Sequence, residues 1–154
     1  YCINVESSDP YSLCPCIIAD GKPVFALDGN AEYNVISCTK DNNNAYAVIE
    51  CKFGDENITS RYTVNSSGVN IHVSGGGSLG FALPAFDFDG EKHTKITCYD
   101  GSLSVIYEGW ICKYTTDGAI KSLEKTVRNR NGYYKAFYAE GSKELNIKIE
   151  ISKT

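Results

Sequence analysis

Six Asp-Gly or Asn-Gly dipeptides punctuate this chain, at Asp20-Gly21, Asp28-Gly29, Asp89-Gly90, Asp100-Gly101, Asp117-Gly118 and Asn131-Gly132. Such pairs supply the positive-φ residues that two-residue hairpin turns require. Between them run short segments rich in Val, Ile, Tyr, Phe and Thr, the residues that fit a pleated sheet. The segment Leu145-Asn146-Ile147-Lys148-Ile149-Glu150-Ile151 alternates apolar and polar strictly, as a strand with one face in the core must. Tyr62 and Val64, then Val69, Ile71 and Val73, repeat the pattern on either side of Asn65-Ser66-Ser67-Gly68. The expected fold is all-β: one domain over 1–154, an antiparallel barrel or sandwich of about ten short strands. One stretch competes. Over 119–128, Ile120, Leu123 and Val127 recur at helical spacing, so a short helix is weighed there against a strand.

Composition excludes several partners. The chain has 154 residues, a net charge of −4 and no apolar run near the ~18 residues of a membrane-spanning helix. An acidic chain is a poor match for nucleic acid, whose phosphates call for an excess of Lys and Arg, and a polybasic membrane contact is disfavoured for the same reason. No charged-then-apolar leader stands at the front, so the chain reads as already processed.

Seven cysteines, Cys2, Cys14, Cys16, Cys38, Cys51, Cys98 and Cys112, are many for a cytosolic chain of this size. They lack the C-x2-C spacing of zinc sites, so disulfides and a secreted protein are expected. Cys14-Pro15-Cys16 does not easily bridge itself. The expected pairs are Cys38 with Cys51 across a hairpin, Cys98 with Cys112, and Cys2 with Cys14 or Cys16. An odd count leaves at least one thiol over, and a monomer is expected unless that cysteine bridges two chains. Two N-glycosylation sequons, at Asn57 and Asn65, agree with a secretory route.

Charge is uneven along the chain. The first 77 residues are net acidic, whereas Lys113 to Lys135 holds six basic residues against two acidic ones. This stretch runs into Gly132-Tyr133-Tyr134-Lys135-Ala136-Phe137-Tyr138. Tyr and Arg are enriched at protein interfaces, where a rigid ring buries area at low entropy cost and a guanidinium makes directed hydrogen bonds. Lys125, Arg128, Arg130, Tyr133 and Lys135 are therefore the candidate partner-binding residues. The simpler reading is an ordinary strand, with Tyr133, Lys135 and Phe137 on one face and Tyr134, Ala136 and Tyr138 on the other.

Nothing in the sequence marks catalysis. His72 and His93 have no ligand-spaced Cys, Asp or Glu, and the nucleophile motif Gly-x-Ser-x-Gly is absent. No catalytic residue, metal ligand or cofactor is assigned. Asp87 and Asp89 point the same way on one strand, yet Asp89-Gly90 is more economically read as a turn. Ser74-Gly75-Gly76-Gly77-Ser78 reads as a flexible surface loop rather than a phosphate cradle.

A small, acidic, cysteine-rich β protein without a catalytic motif, starting at Tyr1-Cys2, resembles the mature part of secreted fungal necrotrophic effectors, the host-selective toxins of cereal pathogens. The resemblance implies a non-enzymatic toxin in the leaf apoplast that binds a host plant protein, such as a secreted defence protein. It would trigger cell death in sensitive genotypes. The alternative is a secreted carbohydrate-binding, lectin-like β-domain using exposed tyrosines and Trp110.

Overall fold

The computed structural model describes residues 13–26, 31–129 and 132–154. Among these described residues thirteen strands are seen: β1 (Pro15–Ala19), β2 (Lys22–Phe25), β3 (Glu32–Lys40), β4 (Asn44–Phe53), β5 (Glu56–Asn65), β6 (Gly68–Ser74), β7 (Leu79–Phe88), β8 (Lys95–Tyr99), β9 (Ser102–Tyr107), β10 (Trp110–Thr116), β11 (Ala119–Asn129), β12 (Gly132–Gly141) and β13 (Glu144–Lys153). They form two antiparallel sheets. One has five strands in the order β11-β12-β7-β1-β2, the other eight in the order β3-β4-β5-β6-β13-β10-β9-β8.

The turn dipeptides divide into two uses. Asp20-Gly21 and Asp100-Gly101 both have positive φ at each residue and close the β1–β2 and β8–β9 hairpins. Asp89-Gly90 and Asp117-Gly118 instead lie where the chain passes from one sheet to the other. Asp28-Gly29 and Asn131 fall outside the described residues. The β9–β10 hairpin turns on Glu108-Gly109, again with positive φ at both positions.

The two sheets face each other across one core. Leu79, Phe81, Leu83 and Ala85 of β7, with Phe137 and Ala139 of β12, meet Ile58, Ile71, Val73, Leu103, Leu145 and Ile147 of the larger sheet. Tyr62 packs on Phe81 with ring centroids 6.4 Å apart, and the buried Tyr114 hydroxyl donates to the Pro84 carbonyl at 3.1 Å. These contacts fix the sheets relative to one another. Ala82, Ala136 and Tyr138, which alternate with the core-facing set on β7 and β12, are buried as well. The outer face of β12 is thus closed at 136–138, and only the two ends of the strand remain accessible.

The structure settles one open reading and corrects one expectation. The 119–128 stretch is strand, not helix: β11 pairs with β12, with a register break between Ser122 and Thr126 and positive φ at Glu124. The spacing of Ile120, Leu123 and Val127 is not that of one face: Ile120 stands opposite Ala139 and Val127 opposite Tyr134, on opposite sides of the strand. The glycine-rich segment at 75–77 is a loop, as expected, and it carries the chain from one sheet to the other, with Gly75 N–H donating to the Lys143 carbonyl at 3.0 Å. Finally, no disulfide joins any two of the described cysteines. Cys38 stands opposite Ala47 and Cys51 opposite Tyr33, so four residues, about 13 Å of strand, separate them. A disulfide needs Cα atoms within about 7 Å. Cys98 on β8 and Cys112 on β10 have β9 between them. Cys2 lies outside the described residues.

Candidate functional site

Two surfaces carry concentrated chemistry. The first is the stretch singled out by its basic and aromatic residues. The β11–β12 register sets Arg128 directly opposite Tyr133, and the guanidinium lies over the Tyr133 ring, 5.5 Å from its centroid. Tyr133 in turn packs on Phe88 at 5.7 Å, and Phe88 stacks on His93 at 4.4 Å. The result is a ladder of cation and rings across three strands and the loop after β7, with Arg128 and His93 both exposed. Each plane restrains the next, so the guanidinium is held at low entropic cost.

Beside the ladder, Asp87 is nearly buried and lies 3.7 Å from both His93 Nδ1 and Lys135 Nζ. Asp87 and Asp89 therefore have different roles. Asp89 is exposed and closes its turn by accepting from the N–H groups of Glu91 and Lys92, both at 2.7 Å, and from the Tyr107 hydroxyl. Lys125 is exposed in the β11 bulge, where a depression of about 280 Å³ is shared with Lys135. Arg130 lies outside the described residues. The structure thus brings Arg128, Tyr133 and Lys135 to one end of the five-stranded sheet.

The second surface was missed by sequence reasoning. It is an open groove of about 590 Å³ on the outward face of the eight-stranded sheet. Antiparallel register lines up its side chains in rows across β5, β6, β13 and β10. Arg61 is opposite His72, His72 opposite Asn146, and Asn146 is gripped by Asp117. In the next row, Thr63 is opposite Asn70, Asn70 opposite Lys148, and Lys148 opposite Thr115. The signal lay in the polar half of each alternating strand, which in isolation is indistinguishable from a solvated face. Only pairing shows that four such halves coincide.

Partial burial pushes the Asp117 carboxyl up, but hydrogen bonds from Asn146 outweigh it and the net displacement is downward. Asn57 is exposed at the start of β5, and the Asn65 side chain accepts from Ser67 N–H within the β5–β6 turn. Trp110 is half-exposed, with the Lys153 ammonium 5.3 Å from its ring centroid. Among the described residues, no group of three His, Cys, Asp or Glu is close enough to hold a metal ion.

No family model matches the chain, and no curated protein matches it in sequence. The fold is similar to that of the heparan sulfate lyase HepC from Pedobacter heparinus, with a TM-score of 0.64 at 9% identity, and to a mutant of that enzyme, with 0.64 at 10%. A heparinase III with methylated lysines matches with a TM-score of 0.60 at 13% identity. Each match covers 80% of this chain but 22% of the lyase, so the chain spans about a fifth of those proteins' length. At such identities the likeness is one of fold.

Proposed function

We propose that this chain is a secreted binding protein, an effector that acts by docking a host plant protein in the apoplast and provokes cell death in sensitive genotypes, without catalysis of its own. The observation that carries this reading is the ladder Arg128, Tyr133, Phe88 and His93, exposed at its two ends and ordered before any partner arrives. Pre-ordered Arg and Tyr side chains are the groups that dominate binding energy in protein interfaces. Within the same reading, the one expected disulfide left open is Cys2 with Cys14 or Cys16. Infiltrating purified protein into a panel of leaf genotypes tests it. Wild-type protein is expected to cause necrosis in some genotypes, and Arg128→Glu, folded by circular dichroism, to lose that effect. Equal necrosis from both proteins, or none from either, would overturn the assignment.

A second reading, carbohydrate binding, is favoured by the polar groove on the eight-stranded sheet, and solved structures of similar fold include heparan sulfate lyases. Trp110 does not support it, because Lys153 lies over its ring.

A further inference from the structure

Rows of side chains that cross a sheet present one functional group per strand. Neighbouring strands lie about 4.8 Å apart, so the four strands under the groove span about 14 Å. A linear ligand laid across them meets a new side chain at every step. Two rows of this kind run side by side here, and they hold guanidinium, imidazole, ammonium, carboxamide and hydroxyl groups.

The charges in the groove are not all spent. Asp117 is the groove's carboxylate, and both its oxygens accept from Asn146. Lys148 is paired with Glu150 at 2.7 Å. Arg61 has Val48 on one side and His72 on the other, and among the described residues neither its guanidinium nor the Asn70 carboxamide has a hydrogen-bonding partner in the protein. A cation in the first row and an amide in the second are thus left facing solvent side by side. The second row continues to a tyrosine on each side: Tyr46 stands opposite Thr63, and Tyr99 is reached from Thr115 through Ser102. Both rings are exposed, Tyr99 by 79%.

We propose that this groove binds an acidic oligosaccharide, a hydroxyl-rich linear chain bearing carboxylate or sulfate groups. Arg61 receives the anionic group, with His72 beside it. Asn70, Asn146, Thr63 and Thr115 exchange hydrogen bonds with ring hydroxyls, and Tyr46 and Tyr99 offer flat apolar faces where the chain leaves the groove. The proposal rests on the carbohydrate-binding reading and adds the ligand class. It is separate from host-protein docking, which uses the other sheet.

Calorimetric titration tests it, with oligogalacturonate as the carboxylate source, a heparin oligosaccharide as the sulfate source and a malto-oligosaccharide as the neutral control. Binding of at least one acidic probe is expected, with preference between them naming the anionic group. Arg61→Glu should weaken that binding by roughly tenfold or more, as expected from removing a charge-assisted hydrogen bond and reversing its charge. Lys22→Glu, an equal charge change on the exposed edge of the other sheet, should leave it unaltered. Binding of the neutral probe alone overturns the acidic class while retaining the carbohydrate reading; no binding of any probe overturns both. Equal losses in Arg61→Glu and Lys22→Glu would show attraction to net charge only, and would also overturn the assignment.

Discussion

Asp117 grips Asn146 across 29 residues of sequence: one carboxylate oxygen accepts from the Asn146 backbone N–H at 2.8 Å, and the other from its carboxamide Nδ2 at 2.6 Å. The contact joins the end of β10, where the chain leaves for the smaller sheet, to the middle of the groove. It thereby fixes the Asn146 carboxamide in the groove lining, and ties the groove's geometry to a sheet crossing.

Replacing Asp117 should therefore act on shape as well as charge. Asp117→Ala is expected to lower the melting temperature by a few degrees, and to speed hydrogen exchange at the Asn146 amide. Since the folded-state pKa of Asp117 is lowered, its contribution is fully present above the unfolded carboxyl pKa and fades as pH falls through the folded value. Amide exchange on wild type and variant between pH 2 and pH 7 checks both points; unchanged protection at Asn146 would contradict them.

Asp89 and Tyr107 make a second pH-dependent contact. The Tyr107 hydroxyl and the backbone N–H groups of Lys92 and Glu91 hold the Asp89 carboxyl down at about 2, and Asp89 in turn pushes Tyr107 up to about 12. The acid's stabilising effect is present above the unfolded carboxyl pKa and is lost as pH falls toward 2. The tyrosine's is present below its unfolded value and is lost as pH rises through 12. Carbon NMR titration should find the two midpoints there, and Tyr107→Phe should return Asp89 toward the ordinary carboxylate range.

Phe81 is fully buried between the sheets and packs on Tyr62. Truncation to Ala leaves a cavity that β7, paired on both sides, cannot collapse to fill. Phe81→Ala is expected to cost about 3–5 kcal/mol in urea unfolding. Val24→Ala on edge strand β2, whose side chain is exposed, should change stability by about 0.5 kcal/mol or less.

Thiol reactivity should follow exposure. Cys38 is exposed on edge strand β3, whereas Cys16 and Cys51 are buried, and burial pushes both their thiol pKa values up. Iodoacetamide followed by peptide mass mapping is expected to modify Cys38 first. Cys16 and Cys51 should react only after denaturation. Rapid modification of Cys16 in the native protein would mean that β1 is not packed against Gly80 as found.

Much of the fold was legible locally. The alternation of Leu145 to Ile149 placed three apolar side chains in the core as expected, and Asp20-Gly21 and Asp100-Gly101 are the hairpin turns their chemistry calls for. What remained hidden depends on register. Cys38 and Cys51 share a hairpin, yet their partners are Ala47 and Tyr33. Ile120 and Val127 are spaced like one helical face, yet pairing with Ala139 and Tyr134 puts them on opposite sides of the strand. For the candidate sites, Arg128 and Tyr133 were marked by residue type, but Phe88 and His93 joined them only through pairing across β7 and β12.

By itself, then, the sequence determined the all-β character, since turn chemistry and period-two alternation act over a few residues and need no distant partner. It equally determined which side of β13 faces the core. Tertiary structure alone decided which Asp-Gly turns close hairpins and which carry the chain between sheets, because that depends on where the next apolar face is buried. It also decided that Arg61, His72 and Asn146 stand in one row. Strand order and register set such neighbours, and no spacing along the chain encodes them.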